Sequence, residues 1–289
     1  MSGTEADGRT DPRPGSELLA GRRIAIAESR ELDVFAALLQ RRGAQVLRYP
    51  LVQIIDAPDP GEVLQWAHRL AAGGLDDLIL LTGEGLRRLR LCIERHEPAL
   101  LGPFLAALSA VRKITRGPKP ARALRELGLS ADLPAAEPTS AGVMRTLSPL
   151  SLSGRRIGLQ LFGEDPSEAL VSFLHGAGAE VFTVAPYRYV DAVSDTAVDE
   201  LLERMRHGEI DAIAFTSKAQ VQRLFRSRDA ESVRSALAAS NVAAVGPLVA
   251  AALAEHGVTV KAMPESSWFM KPLTAALTEA LAQASMPQS

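Results

Sequence analysis

Two tyrosines, Tyr187 and Tyr189, stand two residues apart in the stretch APYRYV, in a chain that holds only three. In an extended segment residues i and i+2 share a face. The two phenols would then point the same way, either as hydrogen-bonding acids beside a cleft or as ordinary half-buried strand residues. Spacing alone favours the second. A further set of candidates pairs a hydroxyl with small residues. LTGEG holds Thr82 and Gly83, and FTSKA holds Thr216 and Ser217. Each set falls where an apolar run hands over to a helical pattern. There, small residues let a ligand approach backbone N–H groups, and the helix dipole favours negative charge. The chemistry this suggests is a carboxylate or phosphate cradle; a plain helix N-cap explains one such set equally well. TRGPKP brings Gly117 and Lys119 beside Arg112, Lys113 and Arg116, and AVGPLV brings Gly246 and Pro247. Both read as strand–Gly–Pro–helix junctions. The first is basic, which fits an anion site or a solvated face. GLRRLR adds Arg87, Arg88 and Arg90; the first and last share a helix face and Arg88 points elsewhere.

Short apolar runs alternating with amphipathic segments must position these residues. RRIAIAES (22–29) reads as a buried strand, and ELDVFAALLQRRG as a helix closed by Gly43. An extended segment, AQVLRYPLVQIID, follows. GEVLQWAHRLAAGG and GLRRLRLCIERH read as helices around the strand DDLILLT. VRKITRG, PARALRELG, SADLPA and TSAGVMRTL then read as strand, helix, short strand and helix. From residue 154 the pattern restarts. GRRIGLQLFG echoes GRRIAIAES, DAIAFTSKAQVQRL echoes DDLILLTGEGLRRL, VAAVGPLVAAALAEHG echoes VRKITRGPKPARALRELG, and SSWFMKPLTAALTEAL echoes TSAGVMRTLSPL. Four blocks recur in one order at a period of roughly 130 residues, the size of a domain. The expected fold class is α/β, with two similar lobes, each a parallel sheet flanked by helices. Ligands of such sheets bind outside the carboxyl ends of the strands, where Thr82, Gly117, Thr216 and Gly246 fall. A ligand between the two copies would meet both rims.

Composition narrows the partners. The chain has 289 residues, 47% hydrophobic and 23% charged, as in a soluble globular protein, and a formal net charge of -2. That balance offers no basic surface for nucleic acid. One cysteine, Cys92, excludes an intrachain disulfide framework and fits a reducing compartment. No apolar run approaches the roughly 18 residues needed to span a membrane. The polar opening, residues 1–19, reads as a disordered tail, and the cytoplasm is the expected location. His175, His207 and His256 each lie just before a Gly at a predicted helix end, a structural placement. No pair of histidines has metal-ligand spacing, and there is no G-x-G-x-x-G, P-loop or G-x-S-x-G motif. Neither a metal nor a cofactor is expected.

The opening RRIAIAESRELDVFAALLQRRGAQVLRYPLVQI, the YRY segment, DAIAFTSKAQVQRLF and VAAVGPLVAAALAEHGV, in that order, resemble uroporphyrinogen-III synthases over about residues 20–285. The resemblance implies a cofactor-independent lyase of tetrapyrrole and haem biosynthesis. Its substrate is hydroxymethylbilane, a linear tetrapyrrole, closed with inversion of ring D and loss of water. It also implies a lobe of residues 20–45 plus 191–289, a lobe of residues 52–182, and a two-stranded connector at 46–51 and 183–190. The family's common tyrosine, associated with departure of the ring-A hydroxyl, falls on Tyr187. Thr82, Gly83, Gly117, Lys119, Thr216, Ser217, Gly246 and Pro247 become the expected substrate-binding residues. If its phenol faces an open cleft, Tyr187→Phe would cost little stability. The chain departs from the family at Glu28-Ser29-Arg30, where many relatives have Thr-Arg-Pro, and at Leu248-Val249, where a Thr is common. Glu84 sits beside an expected anion site. A non-catalytic tetrapyrrole-binding or regulatory protein is the alternative these departures favour. Oligomeric state is not legible.

Overall fold

The computed structural model describes residues 17–163 and 165–283. Most of the expected tail lies outside these residues, but residues 17–20 form a turn and Leu19 is buried in the core. The order is β1 (Arg23–Ile26), α1 (Leu32–Gln40), β2 (Gln45–Arg48), β3 (Val52–Asp56), α2 (Pro60–Ala71), β4 (Asp77–Leu80) and α3 (Gly83–His96). A 3-10 turn at Pro98–Leu100 leads to α4 (Leu101–Ala110), β5 (Arg112–Thr115), α5 (Pro118–Arg125), β6 (Leu133–Pro134), α6 (Ser140–Leu147), β7 (Arg156–Gln160), α7 (Glu168–Gly176) and β8 (Glu180–Val184). Then come β9 (Tyr187–Asp191), α8 (Asp195–Arg206), β10 (Ala212–Phe215), α9 (Lys218–Ser227), α10 (Ala230–Ala238), β11 (Asn241–Ala244), α11 (Pro247–Ala254) and α12 (Met270–Gln283). The helix α4 has no counterpart in the sequence reading; its Pro103 sits in the helix's first turn, where no intrahelical N–H is needed.

The chain forms two compact units. One comprises the described residues up to Val52 together with those from Ala192 onward, and the other comprises Gln53–Asp191. The sheet of the first runs β11-β10-β1-β2 and that of the second β6-β5-β4-β7-β8, with parallel pairing throughout. β3 and β9 make a two-stranded sheet. Residues 46–48 belong to β2 and residues 183–184 to β8; of the two strands that pair, β3 follows directly after the expected 46–51, and β9 takes in residues 187–190 of the expected 183–190. In the second unit the buried strand β4 alternates sides. Leu78 and Leu80 join Val63, Trp66, Leu86 and Leu89 on one face, while Ile79 and Leu81 join Val143, Leu147, Leu170 and Leu174 on the other. A strand covered on both faces is apolar along the stretch that is covered, which is why LILL (78–81) reads as an unbroken run.

The backbone carries the repeat. Gly21 and Gly154, Gly43 and Gly178, Gly73 and Gly208, and Gly128 and Gly257 occupy matched turns, all at positive φ. The registers also fix the alignment. Ile24 lies opposite Ala212, and Ile157 opposite Asp77. Asp211 accepts the backbone N–H of Arg23 at 2.7 Å, and Asp76 that of Arg156 at 2.8 Å. Asp76 therefore matches Asp211, and Thr82 matches Ser217 rather than Thr216, each being the N-cap residue of the helix that follows.

Asp76 is held well below the usual carboxylate range, at about 2, chiefly by hydrogen bonds from the side chain and then the backbone N–H of Arg156. A depressed folded-state pKa adds stability that is complete above the unfolded value and lost as pH falls through the folded one. The stability gap between wild type and Asp76→Asn, read by urea unfolding, should be full at pH 5 and close between about pH 4 and pH 2. A gap independent of pH would show that the carboxylate's charge is not what Arg156 recognises.

Candidate active site

Tyr187 opens β9 and is 1% exposed. Its hydroxyl lies 3.2 Å from Thr82 Oγ1 and is also hydrogen-bonded by Tyr189, whose ring meets it edge-on at 5.6 Å and 85°. Thr82 caps α3, its Oγ1 accepting the Gly85 N–H at 3.0 Å and the Gln160 Nε2 amide at 3.4 Å. A hydroxyl oxygen has two acceptor positions and one proton. With both acceptors engaged, the Thr82 proton is directed to the Tyr187 oxygen, and Tyr187 keeps its own proton for another acceptor. Burial pushes the Tyr187 phenol above its ordinary pKa, against the lowering effects of Thr82, Tyr189 and the nearby charge of Arg116. The phenol is therefore protonated at neutral pH. The condition of an open hydroxyl, on which a small stability cost rested, is not met: the ring is enclosed and the hydroxyl is bonded within its own unit.

The strand-end amides are not open either. Thr82 N–H donates to Gln160 Oε1 at 3.1 Å. In the other unit the N–H groups of Thr216 and Ser217 both donate to Gln220 Oε1, at 2.7 and 3.2 Å. The two glutamines come from different places, one from the end of β7 and the other from the first turn of α9. In the repeat alignment Gln160 matches Ala27 and Gln220 matches Gly85. A side chain on Gly85 would overlap the Gln160 amide. Each unit thus has one glutamine and one small residue at this spot, with the positions exchanged.

The glycines likewise serve internal packing. A Cβ on Gly83 would stand 2.6 Å from the Lys119 carbonyl, on Gly117 2.8 Å from Pro138, and on Gly246 2.7 Å from Trp268. At these positions the space expected for a ligand is filled by the chain itself. Pro247 opens α11, Val249 is in the core, and Lys119 is exposed on the first turn of α5. Thr216 is buried, its hydroxyl donating to Glu28 Oε2 and accepting from Gln220 Nε2 at 2.9 Å. Glu28 also accepts the N–H groups of Arg30 and Glu31, at 3.0 and 3.2 Å, just before α1. A carboxylate of the protein thus occupies the place that sequence reasoning gives to a ligand anion. Glu84 is neutralised by Arg88 at 2.8 Å and Arg87 at 3.9 Å.

The basic cluster divides. Arg112 bonds Asp77, and Lys113 bonds Asp132 at 2.9 Å. Arg116, just past the end of β5, lies 4.4 Å above the Phe162 ring and close enough to Tyr187 and Tyr189 to feel their charge state. Sequence reasoning brought Tyr187 and Thr82 forward but not their contact. It named Arg116 only as one of a group, and missed Gln160, Gln220 and Glu28 as rim residues. Position at a strand end, or for Gln220 in the first helical turn after one, was the only signal available for these three.

Residues 33–273 match the family model for uroporphyrinogen-III synthase HemD. This chain belongs to the uroporphyrinogen-III synthase family. A structure of uroporphyrinogen III synthase from Thermus thermophilus superposes with a TM-score of 0.73 at 29% identity, covering 91% of this chain and all of that one. The Helicobacter pylori uroporphyrinogen-III synthetase shares the fold at a TM-score of 0.53 and 13% identity, with 89% and 99% coverage. A Bacillus subtilis protein, named only uncharacterized protein YjjA, is 31% identical over 255 residues, 86% of this chain and 92% of its own. Among the described residues, no group of His, Cys, Asp or Glu could hold a metal ion and no helix is long and apolar enough to cross a membrane.

The exchanged glutamines allow a test of the rim geometry. Gly85→Gln alone should destabilise by about 1–3 kcal/mol through overpacking. Gln160→Ala alone should cost a similar amount by stranding the Thr82 N–H. The double substitution reproduces the other unit's arrangement and should recover most of both losses in urea unfolding. Simple additivity would show that Gln220 and Gln160 do not play interchangeable parts.

Proposed function

We propose that this chain is a uroporphyrinogen-III synthase in activity as well as family, closing hydroxymethylbilane to uroporphyrinogen III with inversion of ring D and release of water. The observation that carries this reading is the Thr82–Tyr187 pair. A departing hydroxyl needs a proton to leave as water, and Tyr187 is a protonated phenol whose proton is not claimed by Thr82. The positive charge of Arg116 nearby lowers the cost of the tyrosinate left behind. Phenol donation at the leaving group is general acid catalysis. Ring inversion asks for control of geometry, since the linear substrate also closes unaided without it, and the rigid strand ends supply fixed walls for that control. Thr82, Gly117 and Lys119 in one unit and Ser217, Gly246 and Pro247 in the other border the strand ends. Thr216 and Gly83 contribute by shaping them.

Glu28 favours a second reading, a tetrapyrrole-binding relative without turnover, because a fixed carboxylate at a strand end repels the acidic groups of the substrate. Product analysis separates the two. Purified protein and hydroxymethylbilane, with isomers resolved by chromatography, should yield uroporphyrinogen III; only the uninverted isomer would sink the enzyme reading. Tyr187→Phe should lower turnover by about tenfold to a hundredfold without abolishing it. It should also lower stability by about 1 kcal/mol, because a buried hydrogen bond is lost. Tyr189→Phe is not a neutral control, since Tyr189 bonds Tyr187; a smaller fall in rate is expected there. Wild-type rates in Tyr187→Phe would remove the acid role.

A further inference from the structure

Most cations of the second unit are paired with carboxylates. Arg88 bonds Glu84 and Asp56, Arg87 bonds Glu126, Arg90 bonds Glu94, Arg95 bonds Asp56, Arg112 and Arg155 bond Asp77, and Lys113 bonds Asp132. Arg116 differs. It is 7% exposed, and no carboxylate among the described residues forms an ion pair with it. The neighbouring Asp165 acts on it only through space, its Oδ1 accepting the Ser167 N–H at 2.8 Å. The guanidinium stacks over Phe162 instead, which orients its donor fork but leaves it without an anion. Burying an unpaired charge costs several kcal/mol in general, so a structural reason is the first thing to seek. The repeat supplies an internal control: the matched residue in the other unit is Val245, 5% exposed and part of the core. The fold at this position is therefore satisfied by an apolar side chain. The charge answers to something else.

We propose that Arg116 binds one carboxylate of the tetrapyrrole, in a subsite of the second unit walled by Phe162 and bordered by Tyr187 and Tyr189. This deepens the enzymatic reading above and rests on it for the identity of the ligand. An acidic side group is the complement of a guanidinium that is flat, buried and anion-free. Anchoring that group beside the Tyr187 phenol would fix one pyrrole relative to the acid. The two units would then treat charge oppositely: the first holds its own carboxylate, Glu28, at a strand end, and the second holds an arginine awaiting one.

Three measurements test this separately from catalysis. In the arginine Nε–H spectrum, the Arg116 signal is identified by its loss in Arg116→Lys. It should shift on addition of propionate and stay put with propionamide; no shift would overturn the site whatever the protein catalyses. Uroporphyrin III, the oxidised and fluorescent form of the proposed product, should bind the wild type. Arg116→Gln should bind it about tenfold to a hundredfold more weakly, with Arg116→Lys between them. The thermal midpoint of Arg116→Gln should hold or rise, because an unpaired buried charge has been removed. A lower midpoint with unchanged affinity would mark Arg116 as a structural cation and refute the proposal. Arg116-dependent binding without formation of uroporphyrinogen III would support the subsite and end the enzymatic reading. Turnover with Arg116-independent binding would do the reverse.

Discussion

A buried parallel strand must dispose of its last amides before the chain turns into a helix, and in both units this requirement organises the rim. Parallel pairing satisfies the strand up to its final residue, and the helix that follows leaves its own first N–H groups open. Water or a ligand can fill the gap, but here a glutamine carbonyl does so, at Thr82 in one unit and at Thr216 and Ser217 in the other. Once that acceptor is in place, the threonine hydroxyls are free for other partners. Thr82 turns to Tyr187 and Thr216 to Glu28. The polar character of each rim follows from how this shared requirement is met.

The two solutions differ in charge although their backbones match. At the strand end of the first unit a carboxylate is drawn in, stabilised by a hydroxyl and two amides before α1. The second unit has Leu161 at the position of Glu28 and Arg116 at the position of Val245. A duplicated scaffold that keeps its turns and its glycines has thus been given one acidic and one basic edge. Such divergence needs no change in the fold, because each position lies just past a strand end, where one unit carries an apolar side chain and the other a charged one on the same backbone.

The family's fold was legible in the sequence because its signals are local and repeated. Unbroken apolar runs such as LILL (78–81) reveal strands covered on both faces, Gly at turn positions punctuates them, and the recurrence of four blocks in order reveals duplication. The alignment of the repeat was less secure. Matching threonine to threonine was natural from composition, yet strand register matches Thr82 to Ser217, because hydrogen bonding from Arg23 and Arg156 to Asp211 and Asp76 fixes the start of each strand. Helix α4 was not read from the sequence; it carries a Gly-Pro pair that is tolerated because it lies within the first helical turn.

By itself, the sequence determined the α/β class, the duplication, the kinship with uroporphyrinogen-III synthases and the candidacy of Tyr187. These depend on periodicity, turn residues and motif order, all of which are written along the chain. Only the tertiary structure decided that Tyr187 is enclosed and bonded to Thr82, that Gln160 and Gln220 claim the strand-end amides, and that Glu28 holds Thr216. It also decided that Arg116, alike in type to Arg112 and Lys113, lacks the carboxylate that each of those two has. Whether a polar group is satisfied depends on which atoms the fold brings within hydrogen-bonding distance. The atoms that settle it here are separated by 78 residues between Thr82 and Gln160, 105 between Thr82 and Tyr187, and 188 between Glu28 and Thr216. No local pattern in the chain encodes those meetings.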